Sequence, residues 1–236
     1  MANRIVVFSD IQGNSVALNA MFDWLKKLPD FDRLDFICLG DVACGYAPNA
    51  VLDTLREHQV HCVRGNMDDV ILKPQAYTGD DDDEKRFNEM DFWASKQLTQ
   101  INQEFLNKAS SSYKVNRFGT KLYFTHGNFF DNESVRKPAP KSGGINFNED
   151  FAVLFTGHWH MQTMNPWSDR VHIMVGSIGF PDSQPGGKRP LRAQFVIVDE
   201  GRFEFVTVNY SLADFSFAVM NSGMPHATWY LSFWDI

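Results

Sequence analysis

Several apolar runs of this chain end on residues that can bind a metal ion or move a proton. Asp10 follows IVVFS, Asp41 follows FICLG, Asn66 follows HCVRG, His126 follows LYFT, and His158 and His160 follow LFTG. In open α/β sheets the carboxyl ends of the strands face one crevice, so these segments would bring their polar residues together. Aspartate, asparagine and histidine, with no cysteine among them, are oxygen and nitrogen donors suited to borderline divalent ions such as Mn²⁺, Fe²⁺, Zn²⁺ or Ni²⁺. Taken singly, each has another use. An aspartate at a strand end also caps a helix, Asn66 before MDD also shapes a turn, and His126 in THGN is either a hydrogen-bonded turn histidine or a ligand. The GHWH stretch points more firmly to ligation, because two imidazoles one residue apart beyond an apolar run burden a core with unpaired polar groups. His58, His61, His172 and His226 carry no assigned role.

The elements that must position these residues follow from apolar periodicity. Ile5–Phe8, Phe36–Leu39 and Val60–Val63 read as strands, with helical patterns over Ser15–Lys27 and near Ala50–Glu57 between them. That alternation predicts parallel strands. Asn14 or Ser15 would cap the first helix. Five short apolar segments in the second half, Lys121–Thr125, Phe151–Thr156, Val171–Val175, Gln194–Asp199 and Phe203–Asn209, predict a second, more antiparallel sheet, followed by a helix over Leu212–Met220. The fold class expected is α/β, two packed mixed sheets flanked by helices. A polar helical pattern from Phe87 to Lys108 predicts a helical cap inserted over residues 77–112 of a single domain spanning 1–236. The acidic run Asp80–Glu84 reads as a solvated loop, and the aromatic tail WYLSFWDI as core packing or a dimer contact.

The chain has 236 residues and a formal charge of −7, from 22 basic and 29 acidic side chains. Such a balance argues against bulk nucleic-acid or anionic-membrane binding. Three cysteines, Cys38, Cys44 and Cys62, show no metal-knuckle spacing and suit a reducing compartment. With no signal-like leader and no run of about 18 apolar residues, a cytoplasmic protein is expected.

Read in order, SDIQGN, LGDVACGYAPN, VRGNMD, FTHGN and TGHWHMQ resemble the motifs of the calcineurin-like metallophosphoesterases, in particular their small bacterial and archaeal phosphodiesterase branch. YAPNAVLDTL, GSIGFP with LRAQFVIVD, and NSGMP extend the resemblance over nearly the whole chain. It implies a four-layer α-β-β-α sandwich and a site for two divalent ions, manganese the expected one and iron, zinc, nickel or magnesium the alternatives. Asp10, His160 and the position of Gln12 would hold the first ion, Asn66, His126 and His158 the second, and Asp41 would bridge them. The implied catalytic residues are Asp41, Asn66 and His126. The implied reaction is attack of a metal-bound hydroxide on a phosphodiester or phosphoanhydride, including dinucleoside polyphosphates. Asn14, Arg64, Asn128 and Arg192 lie near the motifs as candidate phosphate contacts for a small phosphorylated substrate.

Two positions depart from the pattern. Gln12 stands where relatives carry a histidine, and Met67 where some relatives carry the histidine that serves the leaving group. An amide oxygen is a weaker donor than an imidazole nitrogen, so the first ion would be the looser. The same departures keep two alternatives open: a binding or scaffold protein with a degenerate site, and a phosphomonoesterase or protein phosphatase. Oligomeric state is left open, a homodimer included.

Overall fold

The computed structural model describes residues 3–127, 150–167, 169–183 and 187–234. One five-stranded sheet has β1 (Ile5–Phe8), β2 (Asp35–Cys38) and β3 (His61–Cys62) parallel to one another; β9 (Arg192–Asp199) and β10 (Arg202–Asn209) extend it antiparallel, in the order β10-β9-β1-β2-β3. The second sheet has the order β4-β5-β6-β8-β7, from β4 (Ser112–Arg117), β5 (Thr120–Thr125), β6 (Val153–Thr156), β7 (Gln162–Trp167) and β8 (Arg170–Val175). Its centre, β5-β6-β8, is parallel, and only the edges β4 and β7 run antiparallel.

β1 is apolar at every position because it is buried on both faces, as the inner strands of covered sheets are. Ile5 and Val7 join Ile37, Leu39, Val196 and Val198 against Leu122, Phe124, Val153, Phe155, Ile173 and Val175 of the second sheet, forming the core between the sheets. Phe124 and Phe155 stack there with ring centroids 4.9 Å apart. Val6 and Phe8 face the other way, into a core shared with α1 (Ser15–Leu25), α2 (Pro48–Glu57) and the remaining described helices. The tail belongs to this core: Trp234 is fully buried, against Phe215, Tyr230 and Phe180. No helix among the described residues is long and apolar enough to cross a membrane.

Several expectations need correction. β9 and β10 belong to the first sheet, because β9 pairs antiparallel with β1 along Ile5↔Val198, Val6↔Ile197 and Val7↔Val196. β4 and β7 went unread. β4 is a half-covered edge joined to β5 by a turn with Phe118 and Gly119 at positive φ, and β7 is an edge strand that tolerates Pro166. The acidic run is a helix start rather than a loop. Asp81 accepts hydrogen bonds from the backbone N–H groups of Asp83 and Glu84, and acids of the first turn of α4 (Asp82–Gln97) sit favourably at the positive end of the helix dipole.

After α3 (Asn66–Leu72), α4 and α5 (Gln100–Lys108) lie within the segment read as an insertion. α5 is fastened to α2 through the buried amide of Asn102, which donates to Asn49 Oδ1 and Asp53 Oδ1 at 3.0 Å each and accepts from Arg56 at 3.2 Å. At the head of α1, Asn14 is buried and fully used. Its oxygen accepts from Ala17 N at 3.0 Å and Tyr46 Oη at 2.9 Å, and its amide nitrogen donates to Gly179 O at 3.2 Å and Tyr210 Oη at 3.3 Å. Replacing it removes a helix cap and leaves buried groups unpaired. Asn14→Ala should therefore lower stability by roughly 2–4 kcal/mol, measured by urea unfolding; a loss under about 0.5 kcal/mol would contradict this role.

Candidate metal centre

The loops after β1 and β2 are zipped to each other by backbone hydrogen bonds. Asp10 N donates to Gly40 O at 2.9 Å, Gln12 N to Asp41 O at 3.0 Å, and Gly13 N to Val42 O at 2.8 Å. This places the two aspartates side by side. Asp10, Gln12, Asp41, His158 and His160 all have positive φ, between 53° and 68°. Non-glycine residues rarely take this conformation, and it persists only where the surroundings enforce it, most often at functional sites. Glycines make the close approach possible: a Cβ on Gly65 would overlap Asp41, and one on Gly157 would overlap Ser9 and Asp10.

Asp41 is almost fully buried. Its Oδ1 accepts from Met67 N at 2.8 Å, while Oδ2 lies 3.2 Å from His126 Nε2. His126 is oriented by its other nitrogen, which donates to Leu39 O at 2.8 Å. A carbonyl only accepts, so neutral His126 carries its proton on Nδ1 and points the Nε2 lone pair at Asp41. Asn66 Oδ1, on the first turn of α3, lies 3.0 Å from that same Nε2 and 3.1 Å from His158 Nδ1, and the two imidazoles approach to 3.3 Å. Asp41, His126 and His158 thus offer ligand atoms within 4.8 Å of one another.

Such convergence of lone pairs calls for a cation. The metal-free protein meets the need with a proton: burial alone would lower the pKa of His126, but the Asp41 carboxylate outweighs it and raises it to about 10. Next to this cluster, Asp10 is fully buried and accepts from His158 N at 2.9 Å through Oδ2. Its Oδ1 faces His160 Nε2 at 3.2 Å, yet has no hydrogen-bond partner among the described residues. A buried carboxylate oxygen facing an imidazole without bonding to it is the arrangement two ligands of one ion would take. The residues present therefore fit a divalent metal.

Gln12 is turned away from a ligand's pose. Its Oε1 accepts from the Cys44 thiol at 2.7 Å, and Nε2 points at Asp41 Oδ2 from 3.4 Å. Of the candidate substrate contacts, Asn128 lies outside the described residues, and Asn14, Arg64 and Arg192 do not line the cleft beside the metal centre. Asn14 is consumed by the helix cap, Arg64 pairs with Asp69 at 3.0 Å, and Arg192 begins β9. Among the described residues, the cationic side chain that lines the cleft is Lys73.

One residue escaped the sequence reading. Asp68, fully buried, accepts from Asp41 N and Gly65 N at 2.9 Å each and from Val42 N at 2.8 Å, so it fixes the loop that carries Asp41. Burial, and then the charge of Asp41, raises its pKa to about 6. Its position three residues after Gly65 was the available signal, the spacing of a capping box.

The cleft measures about 820 Å³ and reaches from Gln12, Asp41, Asn66, His158 and His160 to α3 and α4. The chain matches no curated protein. Among solved structures it is similar to the hypothetical protein PH1004 from Pyrococcus horikoshii OT3, at 17% identity over 94% of each chain with a TM-score of 0.73. A metallophosphoesterase from Sphaerobacter thermophilus shows 22% identity over 96% of each chain and a TM-score of 0.69. The phosphoesterase Yfce from E. coli shows 20% identity over 88% of this chain and all of its own, with a TM-score of 0.53. These likenesses show a shared fold. The profile of the calcineurin-like phosphoesterase superfamily domain matches residues 4–199, from the strand that delivers Asp10 through the GHWH stretch to the end of β9, and the chain belongs to that superfamily.

Proposed function

We propose that this chain hydrolyses a phosphodiester or phosphoanhydride of a small phosphorylated molecule, a dinucleoside polyphosphate being one such substrate, at a site for two divalent ions. The family is one of metal-dependent phosphoester hydrolases. The observation that carries the reading is the approach of Asp41 Oδ2 and Asn66 Oδ1 to His126 Nε2, at 3.2 and 3.0 Å, on a histidine whose tautomer Leu39 O dictates. In this reading Asn66, His126 and His158 hold one ion, Asp10 and His160 the other, and Asp41 both, with manganese the expected ion. Bound there, the ions supply a Lewis acid and water acidified towards neutrality. The chain's own part is to hold the ligands in a preformed, buried frame and to offer Lys73 to an anionic substrate. The alternative of a degenerate scaffold draws on Gln12, whose oxygen is spent on Cys44; against it stands the clustering of buried Asp10, Asp41 and His126 with half-buried Asn66, His158 and His160.

With Mn²⁺ the protein should hydrolyse bis(p-nitrophenyl) phosphate, Asp41→Asn should lose at least about 10²-fold in kcat/KM, and stripping the metal should lower Tm by roughly 5–10 °C. Lack of turnover with every divalent ion, together with an unchanged Tm, would leave only the scaffold. Side-by-side rates on mono- and diesters decide between diesterase and monoesterase.

Gln12 gives a second expectation: calorimetric titration should resolve one tight and one loose metal, and Gln12→His should tighten the loose one. Two equally tight sites in the native protein would contradict it.

His126 gives a third. Its folded pKa of about 10 lies above the ordinary 6.5, so in metal-free protein its contribution to stability is complete below pH 6.5 and fades as pH rises towards 10. Metal binding at pH 7.5 should then expel about one proton, read from calorimetry in buffers of different ionisation enthalpy; no proton release would refute the ligand role.

A further inference from the structure

Among the described residues, one buried carboxyl of the cleft is used by neither the metal centre nor the fold. Asp91, on α4, lines the same cleft as Asp41, Asn66, His158 and His160, yet is only 8% exposed. Among the described residues no hydrogen bond or ion pair holds its carboxyl. A charged carboxylate so placed is costly, and the cheapest remedy is to keep its proton. Burial, the largest influence, raises its pKa to about 7, and the charges of Asp41 and Glu84 add to this. Burial does not depend on the ions that would offset Asp41.

Of the other proton-bearing groups of the cleft, Lys73, Tyr77 and Glu84 are exposed to solvent, and those less exposed are otherwise engaged. His158 and His160 face Asp10 and Asn66 in the metal centre. Asp69 is paired with Arg64. Burial raises the phenol of Tyr230 well above its ordinary value, which makes it a poor donor. Met67, beside Asn66, has no exchangeable proton. A phosphodiester with a basic leaving group needs one, because the departing oxygen otherwise leaves as an alkoxide or phenoxide.

We propose that Asp91 is the general acid of this site, delivering its proton to the leaving oxygen; the role rests on the phosphoesterase reading given above. As the oxygen of water bonds to phosphorus, the bond to the leaving oxygen breaks and its electron pair stays on that oxygen, which takes the Asp91 proton. The attacking water sheds a proton to solvent, and solvent returns one to the carboxylate. A neutral Asp91 also adds no charge to repel an anionic substrate.

The test compares wild type, Asp91→Asn and Asp91→Glu on methyl p-nitrophenyl phosphate, whose leaving group needs no acid, and methyl phenyl phosphate, whose leaving group does. Asp91→Asn should lose about 10²-fold or more in kcat/KM on the phenyl ester and less than about tenfold on the nitrophenyl ester, with Asp91→Glu partly restoring the former. Independently of turnover, the infrared difference between wild type and Asp91→Asn at neutral pH should contain a carboxylic-acid carbonyl band. Equal losses on both esters, no loss on either, or a missing acid band would each overturn the role while leaving the phosphoesterase reading intact. A wild-type protein inactive on both esters with every divalent ion, and with a Tm unchanged by metal removal, would overturn the two together.

Discussion

The buried charge of Asp41 is the constraint around which this molecule is arranged. A carboxylate with almost no exposure needs positive partners, and the chain surrounds it with them: Met67 N–H on one oxygen, His126 on the other, and the Gln12 amide nitrogen nearby. Its backbone is held in turn by a second buried carboxylate, Asp68, through the N–H groups of Asp41 and Val42. Two buried acids so close are tolerable only because backbone N–H groups stabilise one, and a backbone N–H with the His126 imidazole the other. The left-handed residues and close-packed glycines serve the same end, bringing strand ends nearer than side chains ordinarily allow.

Much of this was legible in the sequence, and the reason is periodicity. β1, β2 and α1 announced themselves because strands buried on both faces are continuously apolar and a capped helix shows its apolar stripe. The convergence of Asp10, Asp41, Asn66, His126, His158 and His160 was legible because polar side chains that recur at the ends of such strands cost burial energy unless they find partners. What escaped depends on partners that a linear pattern does not encode. β9 reads the same whichever sheet it joins, and β7 hides behind Pro166 because edge position alone makes that proline acceptable.

Side-chain direction was the other gap. Asn14 looked like a phosphate contact because it follows the first motif, but its amide is surrounded by Ala17, Tyr46, Gly179 and Tyr210. Gln12 looked like a substitute ligand, and the Cys44 thiol turns its oxygen elsewhere. Asp81 with its acidic neighbours read as a solvated run because charge alone does not reveal that Asp81 caps a helix and that the acids after it form its first turn.

The Asn102 fastening of α5 to α2 bears on how firmly α4, one wall of the cleft, is held. Asn49 strengthens it, its amide nitrogen donating to Gln97 O at 2.6 Å and its oxygen accepting from Thr99 N at 3.0 Å, so the junction of α4 and α5 is riveted to the body of the protein. Swinging that junction outward would strip a buried amide of its partners, a cost well above thermal energy. The far end of α4, the helix whose first half lines the cleft, is thus anchored at folding, so that wall of the cleft is braced before any molecule arrives.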